Sequence, residues 1–280
     1  MDFKVGCSLS YRVKAPTPFV FNVEAATTGG QTVKSETLKL SPDVEVERWT
    51  MPESGNRYLR VMVQPGDFKL DYTAEVAIAP VLEAPESVTE IPGGALPLSV
   101  LPHLWPSRYC QSDQLNRLAQ RTFGGEFPGY ARVNAVCNWI NTNVDYMGGI
   151  SDAMTSAFDT ATQRAGVCRD FAHLAIALCR SLGIPTRYVS AYAHRLSPPD
   201  FHAVIEAFLQ GPQGPGWYLF DPTRKSAPDG IVRIGIGRDA AEVAFASPFG
   251  DVEYDPPKVW IEAEGGTDSG VTVRAVRAEP

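Results

Sequence analysis

No run of apolar residues in this chain approaches the twenty or so that a bilayer-spanning helix needs, so no such helix is expected. Basic residues are not in excess either: 25 Lys and Arg stand against 32 Asp and Glu, for a net charge of −7. A surface of that sign repels phosphate, which argues against nucleic acid and anionic membranes as partners. Cysteine is sparse and odd in number, five in 280 residues, and such a count does not make a disulfide framework. Cys-x-x-Cys, His-Glu-x-x-His and dense carboxylate clusters are all missing, so no metal site is expected and no cofactor is implied. The stretch from Met1 to Gly6 lacks the charged and apolar regions of a secretory leader, and a reducing cytoplasm is the expected compartment. No internal repeat or low-complexity tract occurs.

What the sequence does hold is a thiol, an imidazole and a carboxylate in that order. Residues 166–183 read as a helix, because Phe171, Leu174, Ala175, Leu178, Cys179 and Leu182 recur at three- and four-residue steps. Gly183 followed by Ile184-Pro185 is a stop signal. Cys168 then falls in the first turn, where unpaired backbone N–H groups and the positive end of the helix dipole favour an anion. Segments 186–193 and 201–209 are rich in β-branched and aromatic residues and read as strands. A seven-residue turn, 210–216, leads to a returning strand, 217–223. Alternation puts His202, Val204, Glu206 and Phe208 on one face of the first strand, and Trp217, Leu219 and Asp221 on one face of the second. A register that joins these faces sets Asp221 diagonal to His202, whereas a slip of one residue separates them. The turn's length does not fix that register.

The three side-chain types suit one chemistry. A free thiol is only a few per cent ionised at neutral pH, so a nucleophilic cysteine needs a neighbouring base, and that base needs a carboxylate to hold it in one tautomer. Acyl transfer also needs donors for the oxyanion; the backbone N–H of Cys168 is one, and Gln163 is a candidate for the second. Glu206 shares a face with His202 and competes with Asp221 as its carboxylate partner. His173 reads as a packing or capping residue, while His103 and His194 lie in loop-like stretches. Cys7, Cys110, Cys137 and Cys179 read as structural. Asp170 is expected to be a structural acid facing away from the thiol, and Asp152 and Asp159 to be turn and helix-cap residues.

Several motifs in order, Gly166-Val-Cys-Arg-Asp-Phe-Ala-His173, Leu182-Gly-Ile-Pro-Thr-Arg-Tyr-Val189, Phe201-His-Ala203 and Trp217-Tyr-Leu-Phe-Asp-Pro-Thr223, resemble the transglutaminase-like superfamily of bacterial cysteine-peptidase type. Asn138 to Tyr146 also looks like the helix and strand leading into that core. The resemblance implies an α+β, papain-like core in which Cys168 is the nucleophile, His202 the general base and acid, and Asp221 the residue that orients the histidine. The family commonly has an aromatic residue two positions after the histidine; this chain has Val204, which bears on the shape of the substrate cleft. The local signature of papain itself around its cysteine is absent.

Around this core the chain divides into three expected regions. Residues 1–80 carry strand-like runs at the spacing of a small antiparallel sandwich, with hairpin-like turns at 27–30 and 64–67. Residues 81–110 form a Pro-rich linker, partly packed on the surface, and 111–280 form the transglutaminase-like domain. Within it, helices are expected near 111–122 and 130–143, a turn at 227–230, short strands at 259–262 and 271–274, and fraying in the last fifteen residues.

The function expected is cysteine-dependent acyl transfer on a peptide, isopeptide or other amide through a thioester, with a peptide or protein as substrate and hydrolysis favoured over transamidation. The alternative from another class is a non-catalytic module that keeps the fold and holds a peptide or partner protein. The sequence does not specify the oligomeric state.

Overall fold

The computed structural model describes residues 1–27, 30–264 and 274–278. The turn expected at 27–30 and the strand expected at 271–274 therefore fall largely outside the described residues.

The N-terminal part is a two-sheet sandwich. Its strands are β1 (Asp2–Val13), β2 (Thr17–Phe21), β3 (Gln31–Ser41), β4 (Val46–Thr50), β5 (Arg57–Val63) and β6 (Gly66–Ile78). In β1 the residues Phe3, Val5, Cys7, Leu9 and Val13 alternate inward, and in β6 Phe68, Leu70, Tyr72, Ala74 and Val76 do the same. They meet Phe19, Phe21, Leu59, Val61 and Val63 of the second sheet in one apolar cluster. The turn at 64–67 is not a hairpin: β6 pairs with β1 and β3, whereas β5 pairs with β2 and β4, so the chain crosses between sheets there. The reason is alternation on both sides of the turn, which requires each strand to bury one face against the opposite sheet.

A short strand, β7 (Val81–Glu83), then enters the second half of the molecule. There follow α1 (Ser112–Phe123), α2 (Tyr130–Asn143), β8 (Asp145–Tyr146), α3 (Ala157–Gln163), β9 (Ala165–Gly166) and α4 (Cys168–Ser181). The chain continues through β10 (Thr186–Ala193), β11 (Phe201–Gly211), β12 (Gly214–Phe220) and β13 (Ile231–Gly237). Last come β14 (Ala246–Pro248), β15 (Val252–Tyr254), β16 (Lys258–Ala263) and β17 (Ala275–Arg277). Six strands form one antiparallel sheet in the order β13-β10-β11-β12-β17-β7, with the helices packed on it.

Two segments sit differently from the expected division. Residues 81–110 supply β7 to the core sheet, and Thr89 exchanges both backbone hydrogen bonds with Gln210, at 2.8 and 2.9 Å. Val88, Val100 and Cys110 are buried, which a surface linker of this length would not achieve. Conversely, β14 pairs with β2, and β15 and β16 pair with β1, so residues 246–263 return to the sandwich. The C-terminal β17, in the stretch expected to fray, lies between β12 and β7 and is buried.

Two amide side chains sew the sandwich to the open edge of β13. Gln31 donates to Arg233 O at 2.9 Å and accepts from Arg233 N at 2.8 Å; Asn56 donates to Ile236 O at 2.8 Å and accepts from Ile236 N at 2.9 Å. Each amide stands in for a neighbour strand at one residue; Arg233 O accepts from Ala26 N as well, at 2.9 Å.

Candidate active site

Helix α4 is the axis of the site. The sequence spacing suggested a one-sided apolar stripe, yet every residue from Asp170 to Ser181 is buried. The small side chains Ala172, Ala175 and Ala177 explain this, since they let α1, α2, α3 and the sheet all approach the helix closely. Its end is a Schellman turn: Ile184 N donates to Cys179 O and Gly183 N to Arg180 O, both at 3.0 Å, with Gly183 at φ 83°. At its start, Asp170 Oδ2 accepts from Val167 N at 2.9 Å, closing the first turn, while Oδ1 pairs with Arg169 at 3.0 Å. Asp170 is thus the structural acid expected. Gly166 is required beside it, because a Cβ there would lie 2.6 Å from Asp170 Cβ.

This start presents Cys168 half-buried, whereas the other four cysteines are buried. Burial pushes Cys7, Cys110 and Cys137 up to about 12 and Cys179 well above its ordinary value, so these thiols stay protonated and unreactive.

The imidazole and carboxylate meet. The hairpin turn is two residues long, Gly211 pairing with Gly214, not the seven-residue turn read from composition. Strand pairing reaches back into Gln210 and Gly211 because the Gly-Pro-Gln-Gly tip is compact enough for a tight turn. The resulting register pairs Phe208 with Trp217 and Ile205 with Phe220. Continued one step, it sets Asp221 across from Val204, diagonal to His202. His202 Nε2 lies 3.0 Å from Asp221 Oδ2, and the two residues are 0% and 1% exposed. The ladder stops here, as Pro222 has no N–H to offer.

Asp221 is held by more than the histidine. Its Oδ1 accepts from Thr223 N at 2.8 Å and Thr223 Oγ1 at 2.7 Å, and its Oδ2 accepts from Ser226 N and Oγ, each at 2.9 Å. Burial pushes the Asp221 carboxyl up, but the His202 hydrogen bond and charge, with Thr223 and Ser226, outweigh it and hold it down at about 2. For His202 the balance has the opposite sign: burial lowers the ring's pKa, while the Asp221 bond and charge, and then Cys168, raise it to about 10. Because Nε2 is engaged by Asp221, Nδ1 is the nitrogen left for the thiol, and among the described residues it has no other hydrogen-bond partner.

The remaining candidates fall elsewhere. Glu206 does not serve His202; it is buried between Arg187, at 2.5 Å, and Arg233, at 3.4 Å. Gln163 is exposed in the last turn of α3. A side chain that shares the surroundings of Cys168 is Tyr146, whose hydroxyl is raised in pKa by burial first and then by the nearby Cys168 sulfur. The stretch Asn138 to Tyr146 gives Tyr146 no site role in the sequence, because β8 is only two residues long; its parallel pairing with β9 is what delivers the ring. His173 packs between Tyr109 and Tyr188, accepts from Ala240 N at 3.1 Å, and is pushed down to about 3 by burial. It is a neutral packing residue. Asp152 closes an Asx turn on Met154 and Thr155, and Asp159 caps α3 through Ser156. Val204 is buried against Val189, Trp217 and Leu219, so the departure after the histidine falls in packed core.

Comparison with known proteins agrees with this geometry. Residues 116–222 match the transglutaminase-like superfamily core, and residues 1–94 match the bacterial transglutaminase N-terminal domain. The crystal structure of a "putative cysteine protease" from Cytophaga hutchinsonii is 40% identical, covers 99% of this chain and 97% of that chain, and superposes with a TM-score of 0.92. The chain belongs to the transglutaminase-like superfamily, with a mixed α+β core and an N-terminal all-β region. An uncharacterized protein of Mycobacterium leprae is 34% identical over 150 residues, 52% of this chain and 50% of that protein. One of Mycobacterium tuberculosis is 32% identical over 143 residues, 47% of this chain and 46% of that protein. The chain thus spans about half the length of the curated relatives it matches.

Proposed function

We propose that the protein is a cysteine-dependent acyl-transfer enzyme that hydrolyses a peptide, isopeptide or other amide through a thioester. The observation that supports this most is the buried His202–Asp221 pair at 3.0 Å, aimed from β11 and the end of β12 at the half-buried Cys168 of α4. With its ring held protonated to about pH 10, His202 stands as an imidazolium at neutral pH, and the attacking species is the sulfur anion beside it. The sulfur forms a C–S bond to the amide carbon while the carbonyl electron pair moves onto oxygen. Collapse breaks the C–N bond, and the imidazolium gives its proton to the leaving amine. Water then attacks the thioester, neutral His202 takes its proton, and the sulfur leaves as the anion. The Cys168 backbone N–H is one donor to the oxyanion, and the Tyr146 hydroxyl, close enough to Cys168 to feel its sulfur, is a better second donor than exposed Gln163. An amine in place of water would give transamidation by the same steps.

Peptide and isopeptide libraries, incubated with and without a primary amine, test the reading. Cleavage that disappears in Cys168→Ala is the expected result. Rapid, selective iodoacetamide labelling of Cys168 that slows in His202→Ala is its companion; uniform sluggishness of all five thiols would favour a binding module instead.

A further inference from the structure

The segment following Tyr146 is tied at both ends to the residues flanking the thiol. At one end Met147 N donates to Gly166 O at 2.9 Å, next to the β8–β9 pairing. At the other, Arg169 Nη2, on the residue after Cys168, donates to Asp152 O at 2.6 Å, and Tyr109 Oη donates to Ala153 O at 2.8 Å. Between these anchors the tip runs through Gly148 and Gly149, the latter at φ 76°, with open space where either Cβ would stand. Loops usually expose polar side chains; this one exposes Met147 at 49%, Ile150 at 46% and Met154 at 73%. Three exposed apolar side chains thus stand within eight residues, on a loop tied to both sides of the Cys168 turn. Two of them are methionines, whose unbranched side chains adapt to varied apolar partners.

We propose that loop 147–154 is a substrate subsite that takes an apolar side chain of a peptide within a residue or two of the attacked amide, and so sets the enzyme's specificity. The inference rests on the acyl-transfer reading and adds the substrate class to it. The tied stems support the occupant: one is bonded to Gly166, two residues before Cys168, and the other to Arg169, the residue after it, so the loop is continuous with the segment that presents the thiol. Glycine at the tip also lets a substrate backbone approach closely, with no Cβ in the way.

The test uses peptidyl chloromethyl ketones that carry Leu, Phe, Ser or Asp beside the reactive group, with Cys168 modification followed by mass spectrometry. The parent protein should react about tenfold faster with the Leu and Phe reagents than with Ser or Asp, the scale of apolar pocket discrimination. A Met147→Ser, Ile150→Ser, Met154→Ser triple variant should lose that preference while its Ser-reagent and iodoacetamide rates stay within twofold of the parent. Equal rates for all four reagents in the parent, or a preference that survives in the triple variant, overturns the subsite. Failure of the acyl-transfer reading looks different: iodoacetamide itself would then show no selectivity for Cys168, and the subsite falls with it.

Discussion

Asp221 Oδ2 binds the His202 ring at Nε2, not Nδ1, while four further bonds from Thr223 and Ser226 fill the carboxylate. The ring is therefore fixed in one orientation and held protonated. In Asp221→Asn the counter-charge goes and burial, which lowers the ring's pKa, acts unopposed by it. The alkaline fall of kcat/KM for a peptide, expected near pH 10 in the parent, should move down to the neutral range or below. Activity at pH 8 should drop by roughly 10²–10⁴. Rate–pH profiles, with an NMR titration of the His202 ring, check this; an alkaline limb in the same place in both proteins would refute the assignment.

The same pair makes stability depend on pH at both ends. A histidine raised from its ordinary 6.5 to about 10 contributes fully below 6.5, and the contribution is lost as pH rises through 10. A carboxyl lowered from 3.8 to about 2 contributes above 3.8 and is lost as pH falls through 2. Both contributions are complete only between roughly pH 4 and 6.5. Chemical-denaturation midpoints measured from pH 3 to 10 should fall beyond those limits more steeply in the parent than in His202→Phe, where the histidine's shift is gone and Asp221 keeps only Thr223 and Ser226 to hold its carboxyl down. Parallel curves would count against the linkage.

Much of this site was legible in the sequence because it depends on local signals. The stop at Gly183, the first-turn position of Cys168 and the alternation around His202 and Asp221 are each set by residues a few positions apart. What was not legible depends on distant partners. Tyr146 reaches Cys168 only because β8 pairs in parallel with β9, and Glu206 is taken out of the site by Arg187 and Arg233, which lie on other strands. The return of 246–263 to the sandwich is equally non-local: β16 reads as a strand, but nothing in it names β1 as its neighbour.

Gly166→Ala separates positioning from folding. The added Cβ would sit 2.6 Å from Asp170 Cβ and 2.9 Å from Asp170 Oδ2, pushing out the acid that closes the first turn of α4. The body of α4 is buried and anchored at its other end, so the displacement should concentrate at Cys168. A misplacement of about 1 Å costs on the order of 10²-fold in rate. Turnover of the best peptide should fall by that scale in a protein that still unfolds cooperatively; unchanged turnover would mean the first turn tolerates the shift.

Arg180 supports the other end of the helix without a carboxylate. It is 4% exposed and donates to Thr186 O, Trp105 O, Arg238 O and Ser107 Oγ, tying residues 105–107 and 238 to α4. Arg180→Met keeps the apolar stem but takes the guanidinium donor from three carbonyls, Arg238 O keeping only a 3.5 Å bond from Ser107 Oγ, at about 1–3 kcal/mol for each one left buried and unpaired. Destabilisation of about 3 kcal/mol is expected, read as a lower denaturation midpoint with an unchanged slope. Since Cys168 lies at the opposite end of α4, its iodoacetamide rate under native conditions should stay close to the parent's. A stability loss below about 0.5 kcal/mol would show that water replaces the guanidinium at no cost.

The two amides on β13 predict where the halves of the molecule part first. In Gln31→Ala with Asn56→Ala, the backbone groups of Arg233 and Ile236 lose four hydrogen bonds on one strand edge. Hydrogen exchange should then quicken at Arg233 N and Ile236 N by roughly tenfold or more, the scale of about 1.4 kcal/mol of local opening. The amides of β11, paired on both sides by β10 and β12, should keep their protection. Equal acceleration along both strands would mean that the sandwich and the core open as one cooperative unit, and that the amides stabilise the whole fold instead of its seam.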